Sequence, residues 1–334
     1  MTDARQKRRT TFVFVVLIAA AAVLLWADIN AGYRSISLEE LGQILSGQAS
    51  QSLTYTLIEL RLPRVLTAML VGIGLAVAGC LLQGISRNDM ADPGVLGINA
   101  GAGLLVAAFI VFVPAGAVAS EIALPVLAFA GSLAVAFVGW RLSIVRGVSS
   151  PKRLLLIGVA LATGLSSVTS LLMLQLSDGD YAFVQNWIAG NIWGASWPNV
   201  MLLAVGLTFL VAVALFFART LNVLALGSQA ATGLGVNVRR ASEGLLAVAV
   251  GCSGLCCAVG GGLTFVGLVC PHLARRLVGP NFRVLIPATV LVGAVLMLAA
   301  DIISRTLLAP NEIPVGLVAA VIGAPYFLYL LAKS

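Results

Sequence analysis

Long apolar runs separated by short polar segments dominate the chain. A membrane-spanning helix needs about 20 mostly apolar residues. Eight runs satisfy this length: 11–30, 64–84, 94–114, 122–141, 153–176, 198–218, 285–304 and 313–332. A further stretch, 244–279, is too long for one crossing and short for two, and glycines at 260–262 and Pro271 interrupt it. The pattern predicts an all-α, polytopic helical bundle embedded in lipid.

The distribution of basic residues decides the number of crossings, because cytoplasmic segments of membrane proteins are enriched in Lys and Arg. If the N-terminus is cytoplasmic and 244–279 crosses twice, 16 of the 20 basic residues lie inside. The four exceptions are Arg34, Arg61, Arg64 and Arg305. A single crossing would move three more arginines outside. We therefore predict about ten transmembrane helices in one domain, 1–334, with both termini in the cytoplasm.

Composition supports lipid as the solvent and excludes several classes of protein. Hydrophobic residues make up 60% of the chain and charged residues only 10%, whereas soluble domains are about 25% charged. The net charge of +7 is scattered between apolar runs, so no nucleic-acid-binding patch is predicted. The run 11–30 lacks a signal-peptide cleavage pattern, which indicates a retained first helix.

The chain lacks the residue sets of common catalytic sites. None of its three lysines follows a glycine, so the phosphate-binding loop of ATPases cannot occur. A single histidine, His272, and five cysteines within apolar stretches give no zinc pattern. We predict no ATP hydrolysis, no covalent catalysis, and no cofactor or metal in this chain. Asp301 and Arg305 lie four residues apart, which favours an ion pair within one helix.

The segment 219–243 is the largest predicted cytoplasmic loop. It keeps many apolar residues between flanking arginines and is broken by three glycines. Apolar residues in a loop that faces water indicate packing, either on the bundle itself or on a cytoplasmic partner. The sequence leaves both possibilities open.

Several motifs occur in a fixed order from about residue 35 to the C-terminus. They are RLPR at 61–64, RNDMADPGVLG at 87–97, FVGLVCPHLARR at 265–276, Asp301 with Arg305, and EIPVG at 312–316. Together they resemble the permeases of bacterial ABC importers for iron siderophores, haem and cobalamin. The resemblance implies a second permease subunit, identical or paralogous, two ATPase subunits that bind the ATP, and an extracytoplasmic binding protein, all at the cytoplasmic membrane.

The resemblance also assigns roles to individual residues. Docking of the binding protein is expected at Arg61, Arg64 and Arg305. Coupling to the ATPase is expected within 219–243 at Leu226, Gly227, Ala230, Leu234 and Gly235. The cytoplasmic gate is expected at Asn88, Met90, Ser149 and Ser150.

The cargo suggested by the resemblance is a ferric siderophore, with haem or cobalamin as alternatives. A different class of transporter, an ion-coupled carrier working alone, would need more charge within the membrane than the sequence contains.

Overall fold

The computed structural model describes residues 3–31, 38–46, 48–113, 120–145, 148–149 and 151–333. The helices in these ranges are α1 Asp3–Asn30, α2 Leu38–Leu45, α3 Gln51–Tyr55, α4 Leu62–Ser86, α5 Ile98–Phe112, α6 Ser120–Ser143, α7 Pro151–Met173, α8 Asp178–Ile188, α9 Trp197–Phe216, α10 Ala218–Ala225, α11 Ser228–Gly233, α12 Val238–Gly260, α13 Val266–Val278, α14 Phe282–Thr306 and α15 Val315–Lys333. A π-helical turn, Thr56–Arg61, leads into α4, and a 3₁₀ turn, Pro93–Leu96, precedes α5. Two short antiparallel strands, β1 Ile144–Val145 and β2 Val148–Ser149, separate α6 from α7.

The helices follow the apolar runs, and seven of the described ones are long and apolar enough to cross a membrane. The 25 residues of α4 extend about 37 Å at 1.5 Å per residue, more than the hydrocarbon core of about 30 Å. Two shorter apolar helices cover Ile98–Phe112 and Val315–Tyr329. The predicted all-α, polytopic bundle is confirmed.

The stretch 244–279 divides into two helices, as predicted, but the second is short. The first, α12, is a full span of 23 residues. The second, α13, has only 13 residues and rises about 20 Å, which is less than the thickness of the hydrocarbon core. The ten predicted spans therefore include one helix that begins within the bundle rather than at its surface.

The fourth helix forms the centre of the bundle, with 78% of its span buried. Glycines allow its close approach to two neighbours. A β-carbon at Gly79 would lie 1.7 Å from the carbonyl oxygen of Gly267 in α13, and one at Gly72 would lie 2.3 Å from that of Gly293 in α14. Close backbone packing of this kind is the main attraction between helices in lipid.

Polar contacts mark the two ends of the bundle. At one end, the C-terminal ends of α1 and α14 meet the beginning of α4 through ion pairs. At the other end, Arg9 donates to the carbonyl oxygen of Arg276 at 3.0 Å. There Asn222 also donates to the Asn281 side chain at 2.9 Å. The structure thus separates Arg61, Arg64 and Arg305 from the opposite end, as the charge distribution predicted.

Candidate functional site

A groove runs along one face of α7. A cavity of about 490 Å³ is bordered by the 3₁₀ turn, α5, α7, the start of α13 and Phe327 of α15. A second cavity of about 300 Å³ shares Asn99, Ser166 and Thr264 with the first and continues to Met173. We call the two together the α7 groove. Only 11% of the α7 span is buried, the smallest share among the seven long helices of the described residues.

A row of hydroxyl groups lies on this helix. Thr163, Ser166 and Ser170 border the groove. Thr163 donates to its own helix, to the carbonyl oxygen of Val159 at 3.0 Å, and Ser170 donates to that of Ser166 at 3.0 Å. The sequence analysis missed this row, although the spacing 163, 166, 167, 170 places these hydroxyls on one helical face.

The turn between α12 and α13 forms another wall of the groove. The backbone nitrogen of Gly262 donates to the carbonyl oxygen of Trp187 at 3.2 Å. The Asn99 side chain donates to the carbonyl oxygen of Leu263 at 3.2 Å. Gly261 has a φ of +71°, and a β-carbon there would lie 2.1 Å from the Trp187 oxygen. Only glycine fits this position, and a β-carbon at Gly262 would lie 2.2 Å from the carbonyl oxygen of Ile188, which explains the glycines at 261 and 262.

Two of the predicted gate residues lie together where α4 ends. The side-chain oxygen of Asn88 accepts from the backbone nitrogen of Met90 at 3.0 Å, and Met90 borders the α7 groove. Between them, Asp89 forms an ion pair with Arg275 of α13. Ser149 lies in β2, and Ser150 falls outside the described residues. The gate assignment remains a prediction.

One ionisable residue of the groove is Asp92, in the turn between α4 and α5. Its carboxylate accepts from the backbone nitrogen of Gly94 at 2.8 Å and caps the 3₁₀ turn. Burial raises the pKa of the Asp92 carboxyl to about 6, because a low-dielectric site disfavours its charged form.

The segment 219–243 forms α10, α11 and the start of α12 rather than an irregular loop. Leu221 and Leu224 are buried against the bundle, whereas Leu226 and Leu234 are 66% and 63% exposed. Packing on the bundle is therefore confirmed for one part of the segment, and contact of the exposed part with a cytoplasmic partner remains a prediction. Ala230 and Gly235 are exposed, and Gly227 is half-buried near the Arg87 guanidinium, which would lie 3.4 Å from a β-carbon there.

At the opposite end, Arg64 is buried and bound to two acids. Its Nε lies 3.2 Å from both carboxylate oxygens of Asp301, and its Nη2 lies 2.9 Å from Oδ1. Its Nη1 donates to Glu312 at 2.8 Å. Asp301 is fully buried, whereas the Glu312 side chain is 37% exposed.

Arg305 is also held inside the protein. It forms ion pairs with Asp28 and, at 3.2 Å, with Asp301, which confirms the predicted pair within α14. Arg61 is half-buried and donates to the carbonyl oxygen of Ile29 at 2.7 Å. The structure therefore groups the three predicted docking arginines, and two of them already have buried acidic partners. Docking itself remains a prediction.

Comparison with known proteins identifies the kind of protein that has this bundle. The FecCD transport family matches residues 10–333. The chain belongs to the FecCD transport family. It is 40% identical to the iron(3+)-hydroxamate import system permease protein FhuG of Bacillus subtilis (strain 168), over 96% of this chain and 97% of the relative. It is 38% identical to the Fe(3+)-citrate import system permease protein YfmE of the same organism, over 98% and 96%.

A solved structure gives the same architecture for this FecCD member. An inward-facing conformation of a metal-chelate type ABC transporter superposes with a TM-score of 0.82 and 28% identity, over 97% of this chain and 99% of that chain. The family predicted from the sequence motifs is confirmed over nearly the whole chain. The protein is a multi-pass membrane permease of the ABC importer type, a type that works with ATPase and binding-protein subunits.

Proposed function

We propose that this chain is the membrane-spanning subunit of an ABC importer that moves a ferric siderophore across the bacterial cytoplasmic membrane. The observation that carries the proposal is the α7 groove, a path with hydroxyl groups that follows α7 from Val159 to Met173. The 14 steps from residue 159 to residue 173 rise about 21 Å, much of the bilayer core. The similarity to permeases named for hydroxamate and citrate chelates of iron supports the cargo.

The chemistry of the groove suits passage rather than tight binding. Several of the α7 hydroxyls donate to their own helix and offer mainly acceptor lone pairs to a ligand. A pathway must bind its cargo weakly enough to release it. Within the described lining, Asp92 is the one ionisable residue, and it lies at one end. This disfavours an ion-coupled carrier, which would need a charged relay, and favours energy from a separate ATPase.

The open side of the groove requires a cover, and we assign this role to a second permease subunit. A row of serine and threonine side chains facing lipid would gain nothing from burial in hydrocarbon. A second copy of the chain, or a paralogue, would enclose the groove between two α7 helices. The two chains would then share one pathway.

The exposed part of 219–243 is the proposed contact with the ATPase. Leu226 and Leu234 present apolar surface at the end of the bundle that carries most of the arginines. The excess of basic residues supports a cytoplasmic location for this end, where ATP is available. Neighbouring Gly227 lies beside Arg87 at the start of the gate segment, so a movement of the ATPase would reach the groove through few contacts.

Docking of the binding protein is proposed at the other end, around Arg61, Arg64 and Arg305. Arg64 and Arg305 are buried, whereas Arg61 is half-buried, so reversing the charge at Arg61 disturbs the interior least of the three. The internal ion pairs would fix the shape of this surface, and Arg61 would contribute attraction for an acidic partner.

The cargo is tested by radioactive iron uptake in a strain that lacks this gene, with siderophores of each chemical class supplied separately. We expect loss of uptake for one class, restored by the gene. If the gene instead restores uptake of haem or cobalamin, that compound is the cargo and the siderophore assignment is wrong. Uptake that persists with ATP depleted and stops with an uncoupler would contradict the proposed energy source.

The docking surface is tested by Arg61→Glu. We expect binding of the cognate binding protein to weaken about tenfold, the order measured for charged contacts at interfaces. Arg239→Glu is the matched control, because Arg239 is exposed at the opposite end. Equal binding by both variants would contradict docking at Arg61.

A further inference from the structure

A second groove lies between α6 and α12, separate from the α7 groove. A cavity of about 480 Å³ is lined by Leu133, Phe137 and Val250 among others. An adjoining cavity of about 310 Å³ reaches Arg87. Both cavities are bordered by Trp140, Glu243 and Leu246. We call them together the α6–α12 groove.

One end of this groove is apolar and open to the surroundings of the bundle. Leu133 is 40% exposed and Phe137 is 60% exposed. Val250 lies seven residues after Glu243 on α12, so the apolar part of the groove extends about 10 Å along the helix from the Glu243 carboxylate. In a membrane this length of apolar surface faces acyl chains.

The other end is polar and carries both signs of charge. Glu243 binds Arg239 through Oε1 at 3.0 Å, and its side chain remains 29% exposed. The exposed Arg87 borders the same cavity. The indole nitrogen of Trp140 is buried and has no hydrogen-bond partner among the described residues. A buried donor of this kind normally has a partner in the native environment.

We propose that the α6–α12 groove binds a phospholipid with a zwitterionic, amine-bearing headgroup. The acyl chain lies along Leu133, Phe137 and Val250. The ammonium group donates to the Glu243 carboxylate, whose second oxygen is not used by Arg239. Trp140 and Arg87 donate to ester and phosphate oxygens. An anionic lipid without an amine could pair with Arg87 but would leave the second oxygen of Glu243 unused, so the groove retains the amine-bearing class more strongly.

The test uses the full-length chain reconstituted with equal amounts of phosphatidylethanolamine and phosphatidylglycerol, followed by native mass spectrometry of retained lipid. We expect Glu243→Gln to reduce retained phosphatidylethanolamine about tenfold, the order of one lost charge-assisted hydrogen bond. Phosphatidylglycerol should be unchanged. Trp140→Phe should reduce retention about threefold by removing one donor. Glu59→Gln and Trp193→Phe are matched controls, because both residues are exposed outside this groove.

Two results would overturn the proposal. The first is equal phosphatidylethanolamine retention in Glu243→Gln, Trp140→Phe and their controls. The second is crosslinking of a Phe137→Cys variant to another copy of the chain with no lipid retained, which would make this face a protein interface. Because two different side chains are altered, the test stands if one variant fails to fold.

Discussion

Replacing Asp301 by asparagine removes the carboxylate that joins α4 to α14. Asp301 is fully buried, accepts from two nitrogens of Arg64 and pairs with Arg305 at 3.2 Å. Asparagine has nearly the same size but no charge, and only its Oδ1 can accept a bond from a guanidinium, because its Nδ2 is a donor. Loss of one partner from a buried ion pair costs about 3–5 kcal/mol, because the remaining charge stays desolvated.

A comparison with Glu312→Gln makes this prediction specific. Glu312 binds the same arginine, but its side chain is 37% exposed, and pairs of this kind contribute about 0–1 kcal/mol. The free energy of unfolding of both variants is measured by denaturant titration in the same detergent. We expect the free energy of unfolding to decrease by at least about 2 kcal/mol more in Asp301→Asn than in Glu312→Gln.

A second substitution tests the physical cause. Adding Arg64→Met to Asp301→Asn removes the cation that lost its main partner and replaces it with an apolar side chain of similar length. We expect the double variant to recover more than half of the loss, because substitutions in one network are not additive. Equal losses for Asp301→Asn and Glu312→Gln, or no recovery in the double variant, would refute the reasoning.

Two further predictions concern packing and pH. Gly79→Ala should destabilise the protein by about 3 kcal/mol or more, since backbone would have to move, whereas Gly42→Ala, which meets nothing within 4 Å, should have little effect on the melting temperature. Since the pKa of Asp92 is raised to about 6, the folded state holds a proton that the unfolded state releases near pH 4. Stability should therefore fall as pH rises between about 4 and 6. Asp92→Asn should remove this fall, measured as the melting temperature at a series of pH values. The same dependence of melting temperature on pH in wild type and Asp92→Asn would contradict the prediction.

The sequence predicts the helices well because apolar runs of about 20 residues have few other stable structures in lipid. It also predicts the ion pair of Asp301 with Arg305, which needs only the geometry of one helix. It cannot predict the pairing of Arg64 with Asp301, 237 residues away, because that contact depends on which helices become neighbours. The positive-inside rule likewise reports on which side a charge lies, not whether a guanidinium is buried.

Other features of the site exceed what a single sequence specifies. Counting charges gives the number of crossings but not the length of each helix. A short α13 and a full span would both put Arg275 and Arg276 on the cytoplasmic side, so the count cannot distinguish them. In 219–243, the sequence could not divide the leucines between the bundle and a partner. Burial divides them, with Leu221 inside and Leu226 outside.

The central claim is that an iron chelate passes along the α7 groove. Its most direct test is iron uptake by a variant in which a large side chain blocks that groove. In the deletion strain, the gene carrying Ser166→Trp is compared with wild type and with Val205→Trp, whose position is 71% exposed on α9 outside the groove. With equal amounts of each protein in the membrane, we predict that Ser166→Trp abolishes uptake of radioactive ferric siderophore and that Val205→Trp retains it. Wild-type uptake by Ser166→Trp would contradict the account.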